Sequence, residues 1–297
     1  MKKIMLIVNP NSGKGTPENF KDTIKEKLEA YFDEVDLRVT KGPEDAKNFA
    51  EEASMKKYEA ICSVGGDGTV NEILQGLYNK DYIPKLAIIP GGTGNLLSKH
   101  LEISQDMKGA IEEFDFKKTE KIDLGVCNGK CFSLFVSIGS IPEAIHEVSP
   151  EEKSKFGMLT YFKKSIEKLV ENEKFNLKIT TDEGTYQGPV DHLLVALSNR
   201  IGYIKFTDEN KGMSTGKANV LILKEKDLLN VISGAKDLIV GEIEKNENVE
   251  HFVSKKIKIE SLNGSVETDI DGDKGPDLPV EIEILQKRLE VYLPVKK

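Results

Sequence analysis

Three times within its first hundred residues this 297-residue chain runs from a short apolar stretch into a polar, glycine-rich loop and then into a helical pattern. Ile4-Met5-Leu6-Ile7-Val8 ends in Asn9-Pro10-Asn11-Ser12-Gly13-Lys14-Gly15. Glu59–Val64 ends in Gly65-Gly66-Asp67-Gly68-Thr69, and Leu86–Ile89 in Pro90-Gly91-Gly92-Thr93-Gly94-Asn95. Strands that alternate with helices pair in parallel, because only a crossover returns the chain to the same end of the sheet. The loops after such strands gather at one edge, at the strands' C-terminal ends. The helical patterns agree with this. Thr16 is a capping residue, Pro17 takes the first helical position, and Phe20, Ile24 and Leu28 form one apolar stripe. Val35–Thr40 reads as a further strand, and Pro43 opens a helix with Ala46, Phe49, Ala50 and Ala53 on one face. A helix over about 70–78 follows the second loop, and another follows Asn95.

Beyond residue 120 the pattern changes. Asn128-Gly129, between Ile122–Cys127 and Lys130–Ile138, is a two-residue hairpin signal. Strand-like runs follow at Leu177–Thr181, His192–Leu197, Ala218–Leu223, Lys256–Glu260, Val280–Ile284 and Leu289–Leu293. Helices at about 156–172 and 226–240 interrupt them. The chain exceeds the usual size of one hydrophobic core, so the expectation is two domains. The first, 1–126, is a doubly wound α/β domain with a mainly parallel sheet; the second, 127–284, is mostly antiparallel β. No proline- or serine-rich linker parts them, which predicts a shared interface with a cleft.

The formal net charge of −8 argues against nucleic acid as a partner and requires any membrane docking to use a local patch. Cys62, Cys127 and Cys131 are too few to pair completely and read as reduced thiols, with no histidine or cysteine pair to complete a zinc set. The apolar run at the N-terminus stops at Asn9-Pro10, short of a signal segment, and no stretch approaches the roughly 20 apolar residues of a membrane span. The expected location is the cytoplasm.

A phosphate needs several backbone N–H donors pointing at it, glycine allows the close approach, and a following helix adds its positive end. Gly65-Gly66-Asp67-Gly68-Thr69 meets all three conditions. Asp67 places a carboxylate beside the phosphates, useful there through Mg²⁺ or by orienting its surroundings. Ser12 and Thr93 supply hydroxyl donors from the flanking loops, and neither loop has Walker A spacing. Far downstream, Thr268-Asp269-Ile270-Asp271-Gly272-Asp273 offers three carboxylates. The start of a calcium loop, an acidic hairpin turn and an acid–base centre all fit it, although the downstream glutamate of an EF-hand is missing.

Together, and in this order, these motifs resemble the diacylglycerol kinase catalytic family, which includes sphingosine kinases and bacterial lipid kinases. The resemblance runs from the first strand to the last: Asn9–Gly15, Gly65–Thr69 with Asn71-Glu72, Pro90–Asn95, Ile122-Asp123-Leu124-Gly125, and Asp271-Gly272-Asp273 where the family carries Asp-Gly-Glu. It implies an α/β domain and a β-sandwich domain with an ATP cleft between them, and a C-terminal segment, about 285–297, that returns to the first domain. It implies transfer of a phosphoryl group from Mg·ATP to a hydroxyl of diacylglycerol or a related lipid alcohol. Carried over by position, Asn9, Ser12, Gly13, Thr40, Gly65, Gly66, Asp67, Gly68, Thr69, Asn71 and Thr93 contact ATP. Asp273 is the general base with Asp271 beside it. Asp67 and Asp123 belong to the acidic, Mg²⁺-linked network near the phosphates.

The chain departs from the family at several points. Asp273 is shorter than glutamate by one C–C bond, about 1.5 Å. Leu96 stands where many members have aspartate, Asn199-Arg200-Ile201-Gly202 lacks paired glycines, and Thr215-Gly216 lacks an aspartate. Two other readings share part of the pattern. One is a soluble-substrate kinase of the NAD kinase type, which shares Gly65–Thr69. The other is a non-catalytic nucleotide- or lipid-binding regulator, motivated by Leu96, Asp273 and Thr215. A lipid substrate implies transient, peripheral membrane association. Phe156–Phe162 with Lys163, Lys164 and Lys168 reads first as a helix packed on its own sheet, and alternatively as a membrane-facing amphipathic helix. An exposed β edge in the second domain would allow a homodimer.

Overall fold

The computed structural model describes residues 1–13, 17–139, 174–201, 204–205, 207, 212–224 and 248–295. The expected helices at about 156–172 and 226–240, the Phe156–Lys168 stretch, Lys14, Gly15, Thr16 and Gly202 lie outside the described residues. The chain divides into two compact units, Met1–Leu124 with Lys287–Lys297, and Gly125–Gln286.

The first unit is the expected alternation: β1 (Lys3–Val8), α1 (Pro17–Glu29), β2 (Glu34–Val39), α2 (Asp45–Met55), β3 (Ala60–Gly65), α3 (Asp67–Leu77), β4 (Lys85–Pro90) and α4 (Leu96–His100), with one helix beyond the expectation, α5 (Met107–Glu113). Its strands run parallel in the order β4-β3-β1-β2. The chain therefore steps from β1 outward to β2, then crosses back to β3 on the other side of β1. This reversal is a topological switch point, where open α/β sheets bind ligands beyond the strands' C-terminal ends. Being central explains the apolar run of β1: Ile4, Met5, Leu6, Ile7 and Val8 are each 0% exposed. Each such side chain contributes about 1.5–3 kcal/mol on burial. Edge strand β2 is half-buried throughout, and a charged cluster guards it. There Arg38 bonds Asp36 and Glu52, and the Tyr58 hydroxyl donates to Asp36.

One departure bears on the site. The helix expected over about 70–78 begins three residues earlier, so Asp67, Gly68 and Thr69 form the first turn of α3 and only Gly65-Gly66 precede it. The end of the chain completes this unit. Val291 pairs in parallel with Leu86, and Arg288 donates to the Tyr78 and Lys80 carbonyls (2.7 and 2.6 Å), closing the C-terminal end of α3.

The second unit is antiparallel. A hairpin joins β5 (Thr119–Cys127) to β6 (Lys130–Phe132) through Asn128-Gly129, both at positive φ (46° and 83°) as a type I′ turn requires. The remaining ladder strands are β7 (Phe135–Ile138), β8 (Phe175–Thr181), β9 (Thr185–Ala196), β12 (Ala218–Lys224), β13 (Val249–Ser254), β14 (Lys256–Ser261), β15 (Glu267–Ile270), β16 (Asp273–Asp277) and β17 (Val280–Tyr292). Arg200–Ile201 and Ile204–Lys205, β10 and β11, form a small pair of their own. The main order is β16-β15-β7-β9-β8-β14-β17, with β12 pairing β9 and β13. Val136, Leu193, Val195, Val220, Ile257 and Ile259 lie in its core.

Three details differ from the expectation. Strands β10, β11, β13, β15 and β16 are additional. Val280–Ile284 and Leu289–Leu293 are one strand, β17, rather than two. The run Lys130–Ile138 is broken at Ser133-Leu134, for a reason that belongs to the site.

Candidate active site

The parallel register puts the ends of β1, β3 and β4 side by side, and the three glycine-rich loops that leave them are tied to one another. The Asn9 N–H donates to the Val64 carbonyl (2.9 Å), while its side-chain amide donates to Thr69 Oγ1 (2.9 Å). Asn9 Oδ1 accepts from the Asn11 N–H, which fixes the loop's own turn. Ser12 Oγ accepts from the Gly66 N–H (3.2 Å), and the Gly91 N–H donates to the Gly65 carbonyl (2.8 Å). Thr40 joins from β2: its N–H donates to the Val8 carbonyl (2.9 Å), and the residue is buried.

The glycines of this knot serve two purposes. A Cβ on Gly92 would lie 2.5 Å from Gly66 Cα, and one on Gly65 would lie 2.5 Å from Thr69 Oγ1. At Gly92 glycine lets one loop pack on another, and at Gly65 it lets the first turn of α3 fold close against the end of β3. Gly68 is different, because a Cβ there would meet nothing within 4 Å among the described residues. It lies in the first turn of α3, at the positive end of the helix. Among the described residues, packing does not require a glycine at 68, and the space beside it is open.

Asp67 binds the second loop to the third. Its two carboxylate oxygens accept from the Asn95 and Leu96 N–H groups, both at 2.6 Å. Burial raises the Asp67 carboxyl above the ordinary carboxylate range, although those two N–H groups and the Lys99 charge pull it down. Of the roles open to Asp67, the geometry displays the orienting one. It also bears on the departure at Leu96, whose N–H makes the contact while its side chain is buried. Asn95 is a residue that sequence reasoning quoted without a role. It sits at positive φ (51°), accepts from the Gly92 N–H and donates to the Gly92 carbonyl, holding the third loop closed. Asparagine's tolerance of the left-handed region was the available signal.

The other expected residues are spread around this knot. Gly13 lies in the first loop at φ 56°, Asn71 is half-buried on α3, and Thr93 is exposed at the tip of the third loop. Asp123 is fully buried on β5, where it accepts from the Lys287 N–H (2.7 Å). Among the described residues no group of three or more His, Cys, Asp or Glu side chains is placed to hold a metal ion.

The acidic segment of the second unit is the β15–β16 hairpin, and its three aspartates do three different things. Asp269 Oδ1 accepts from the Gly272 N–H (2.9 Å) across the turn. Asp271 and Gly272, at φ 52° and 91°, are the two central residues of a type I′ turn. The Asp271 carboxylate is buried and accepts four hydrogen bonds. Oδ2 takes the Ser133 N–H (2.7 Å) and hydroxyl (3.1 Å), and Oδ1 takes the Leu134 (3.0 Å) and Phe135 (2.8 Å) N–H groups. With the Ser133 and Leu134 N–H groups given to Asp271, these two residues stand outside the strands, and the Lys130–Ile138 run breaks into β6 and β7. Burial pushes the Asp271 carboxyl up to about 6 against these bonds. Asp273, at the start of β16, is exposed. The Ser133–Phe135 connector carries no sequence signal, since it lies more than a hundred residues upstream of the turn that it serves.

Comparison with known proteins gives this geometry a context. The diacylglycerol kinase catalytic domain family matches residues 3–127. A candidate lipid kinase of Streptococcus pneumoniae serotype 4 is 46% identical over 297 residues, covering 100% of both chains. A diacylglycerol kinase of Bacillus subtilis is 28% identical over 298 residues, covering 100% of this chain and 98% of its own. The crystal structure of a candidate diacylglycerol kinase from Bacillus anthracis superposes with a TM-score of 0.80 at 30% identity, covering 98% of this chain and 95% of that one.

Proposed function

This chain belongs to the diacylglycerol kinase family, and from that membership we propose that it transfers the γ-phosphate of ATP to a hydroxyl of diacylglycerol or a related lipid alcohol. The observation that carries this reading is the knot of three loops at the switch point of the sheet, with the first turn of α3 open at Gly68. Phosphates set against that turn meet the helix's positive end. Asn9, Ser12, Gly13, Thr40, Gly65–Thr69, Asn71 and Thr93 are the proposed nucleotide contacts.

Phosphoryl transfer asks little covalent chemistry of a protein. It needs positioning and stabilisation of developing charge. The cross-ties through Asn9, Ser12, Asp67 and Asn95 hold the loops before a nucleotide arrives, so less ordering is left to be done on binding. Mg²⁺ generally rests on one or two carboxylates plus substrate phosphates and waters rather than in an all-protein cage. Asp67 and Asp123 are the carboxylates proposed for that role. When bound, the ion neutralises charge on the phosphate oxygens. Asp273 is the proposed base, accepting the proton of the attacking hydroxyl. A lipid acceptor makes this a peripheral enzyme at a membrane surface. No described helix is long and apolar enough to cross a membrane.

The test is incubation of the purified chain with radiolabelled ATP and Mg²⁺ against a panel of lipid alcohols in mixed micelles, with NAD as a soluble acceptor. Label in the lipid fraction is expected. Label in NAD alone, or ATP binding without transfer to any acceptor, would overturn the reading.

A further inference from the structure

The β15–β16 hairpin carries two carboxylates that family position groups together, Asp271 and Asp273, and their surroundings separate them. An ionised carboxylate offers about four lone-pair sites. At Asp271 the Ser133 N–H, the Ser133 hydroxyl and the Leu134 and Phe135 N–H groups take up that number, two on each oxygen. No acceptor capacity remains for a substrate hydroxyl, and the residue is only 5% exposed. Asp273, two residues on, is exposed.

What Asp271 does hold is the turn. Strand β15 pairs with β7 through Asp269↔Ser137 and Ile270↔Val136, and the Asp271 N–H continues that line by donating to the Phe135 carbonyl (3.1 Å). The carboxylate then reaches beyond the end of the ladder to the connector ahead of β7. Hairpin and connector are thereby joined on both sides of one residue. Gly272 completes the type I′ turn at φ 91°, and Asp273 follows at once, paired back to Ile270. The chain between the clamp and Asp273 is thus a single glycine inside a defined turn, which leaves the position of Asp273 little freedom. Because acid–base catalysis is sensitive to misplacement of about 1 Å, such a clamp matters to rate.

We infer that Asp271 is a positioning residue rather than a catalytic one: through Ser133, Leu134 and Phe135 it fixes the turn that presents Asp273, an inference that rests on the kinase reading for Asp273's role. Asp271 touches no reacting atom, and its removal acts through Asp273.

Chemical rescue separates the two roles in the full-length protein. In Asp273→Ala, exogenous formate replaces the missing base and restores activity by about tenfold or more. Asp271→Ala loses kcat by about a hundredfold with KM for the lipid little changed, and formate gives no recovery. Amide hydrogen exchange at Ser133, Leu134 and Phe135 speeds by at least about tenfold in Asp271→Ala and stays unchanged in Asp273→Ala. Formate rescue of Asp271→Ala, or intact amide protection in it, overturns the inference. If Asp271→Ala does not fold, Ser133→Ala removes one of the four donors. It should lower kcat by roughly two- to fivefold, and an unchanged kcat again overturns the inference. If the wild-type chain phosphorylates no lipid alcohol, the kinase reading fails on its own, while the amide protection still decides whether the clamp exists.

Discussion

The loop knot of the first unit and the acidic hairpin of the second solve a similar problem by opposite means. Each must hold polar groups in a set arrangement where water does not do it for them. In the knot the work is shared among Asn9, Ser12, Asp67 and Asn95, which link three loops by separate hydrogen bonds. In the hairpin one carboxylate takes four donors, and the neighbouring aspartates are left for other tasks. Shared ties degrade by degrees when one is removed. A single clamp fails as a whole, and the contrast predicts where substitutions should hurt most.

The largest effect belongs to the hairpin's exposed member. Asp273→Asn keeps the shape and removes the base, so kcat should fall roughly 10²–10⁴-fold. Asp273 is exposed and asparagine keeps its shape, so the unfolding midpoint should move little. A kinase assay beside a denaturant titration checks both, and an unchanged kcat would remove Asp273 from the mechanism.

Asp67→Ala comes next. It leaves the Asn95 and Leu96 N–H groups without their acceptor, at about 1–3 kcal/mol for each buried group. The third loop should loosen, with activity down by at least about a hundredfold. Activity and stability fall together here, unlike at Asp273. If activity is lost with no change in amide exchange at residues 95 and 96, the loop tie is not the cause.

Much of this was legible in the sequence, and the pattern of what was not is physical. Ile4–Val8 and Glu59–Val64 read as strands because central parallel strands are buried on both faces. The Asn128-Gly129 turn was legible because a I′ hairpin depends on two adjacent residues. The resemblance motifs marked the three loops for the same reason, being local in sequence. Asp67's bonds to Asn95 and Leu96, by contrast, span 28 and 29 residues, and those of Asp271 span 136 to 138. No composition or period encodes a contact at such separations. The early start of α3 escaped for a related reason. Glycine in the first turn argues against helix by propensity, and the contacts around Gly65 and Gly66 outweigh it.

A third prediction uses pH to set the hairpin against itself. Burial raises the Asp271 carboxyl to about 6 from an ordinary 3.8, a difference on the order of 3 kcal/mol. A carboxyl raised in the folded state is stabilising when protonated. Its contribution is therefore complete below about 4 and is lost as pH rises through about 6. The clamp needs the ionised form, since protonation removes acceptor sites that four donors use. On going from pH 7 toward 5, stability from this group should rise while kcat falls. Asp269, Asp273 and Lys274 are the ionisable residues nearest to it along the hairpin, and Lys130 of β6 donates to the Lys274 carbonyl (2.6 Å). Denaturant midpoints and kcat from pH 5 to 8, compared with Asp271→Asn, measure the two trends. Parallel movement of both would refute the clamp's dependence on ionisation.

The smallest effect is the sharpest test of the knot. Gly68→Ala adds a methyl group where nothing among the described residues lies within 4 Å, in the first turn of α3. Alanine is a better helix residue than glycine by about 1 kcal/mol, so the variant should be slightly more stable. If phosphate approaches that open space, the same methyl group obstructs it, and ATP affinity should drop by roughly tenfold, about 1.4 kcal/mol. Gain of stability with loss of affinity is hard to produce by general damage to the fold. Calorimetric titration with ATP alongside thermal unfolding reads both signs. A more stable variant that binds ATP as tightly as the parent would mean that Gly68 leaves room for nothing, and that the phosphates lie against another part of the three loops.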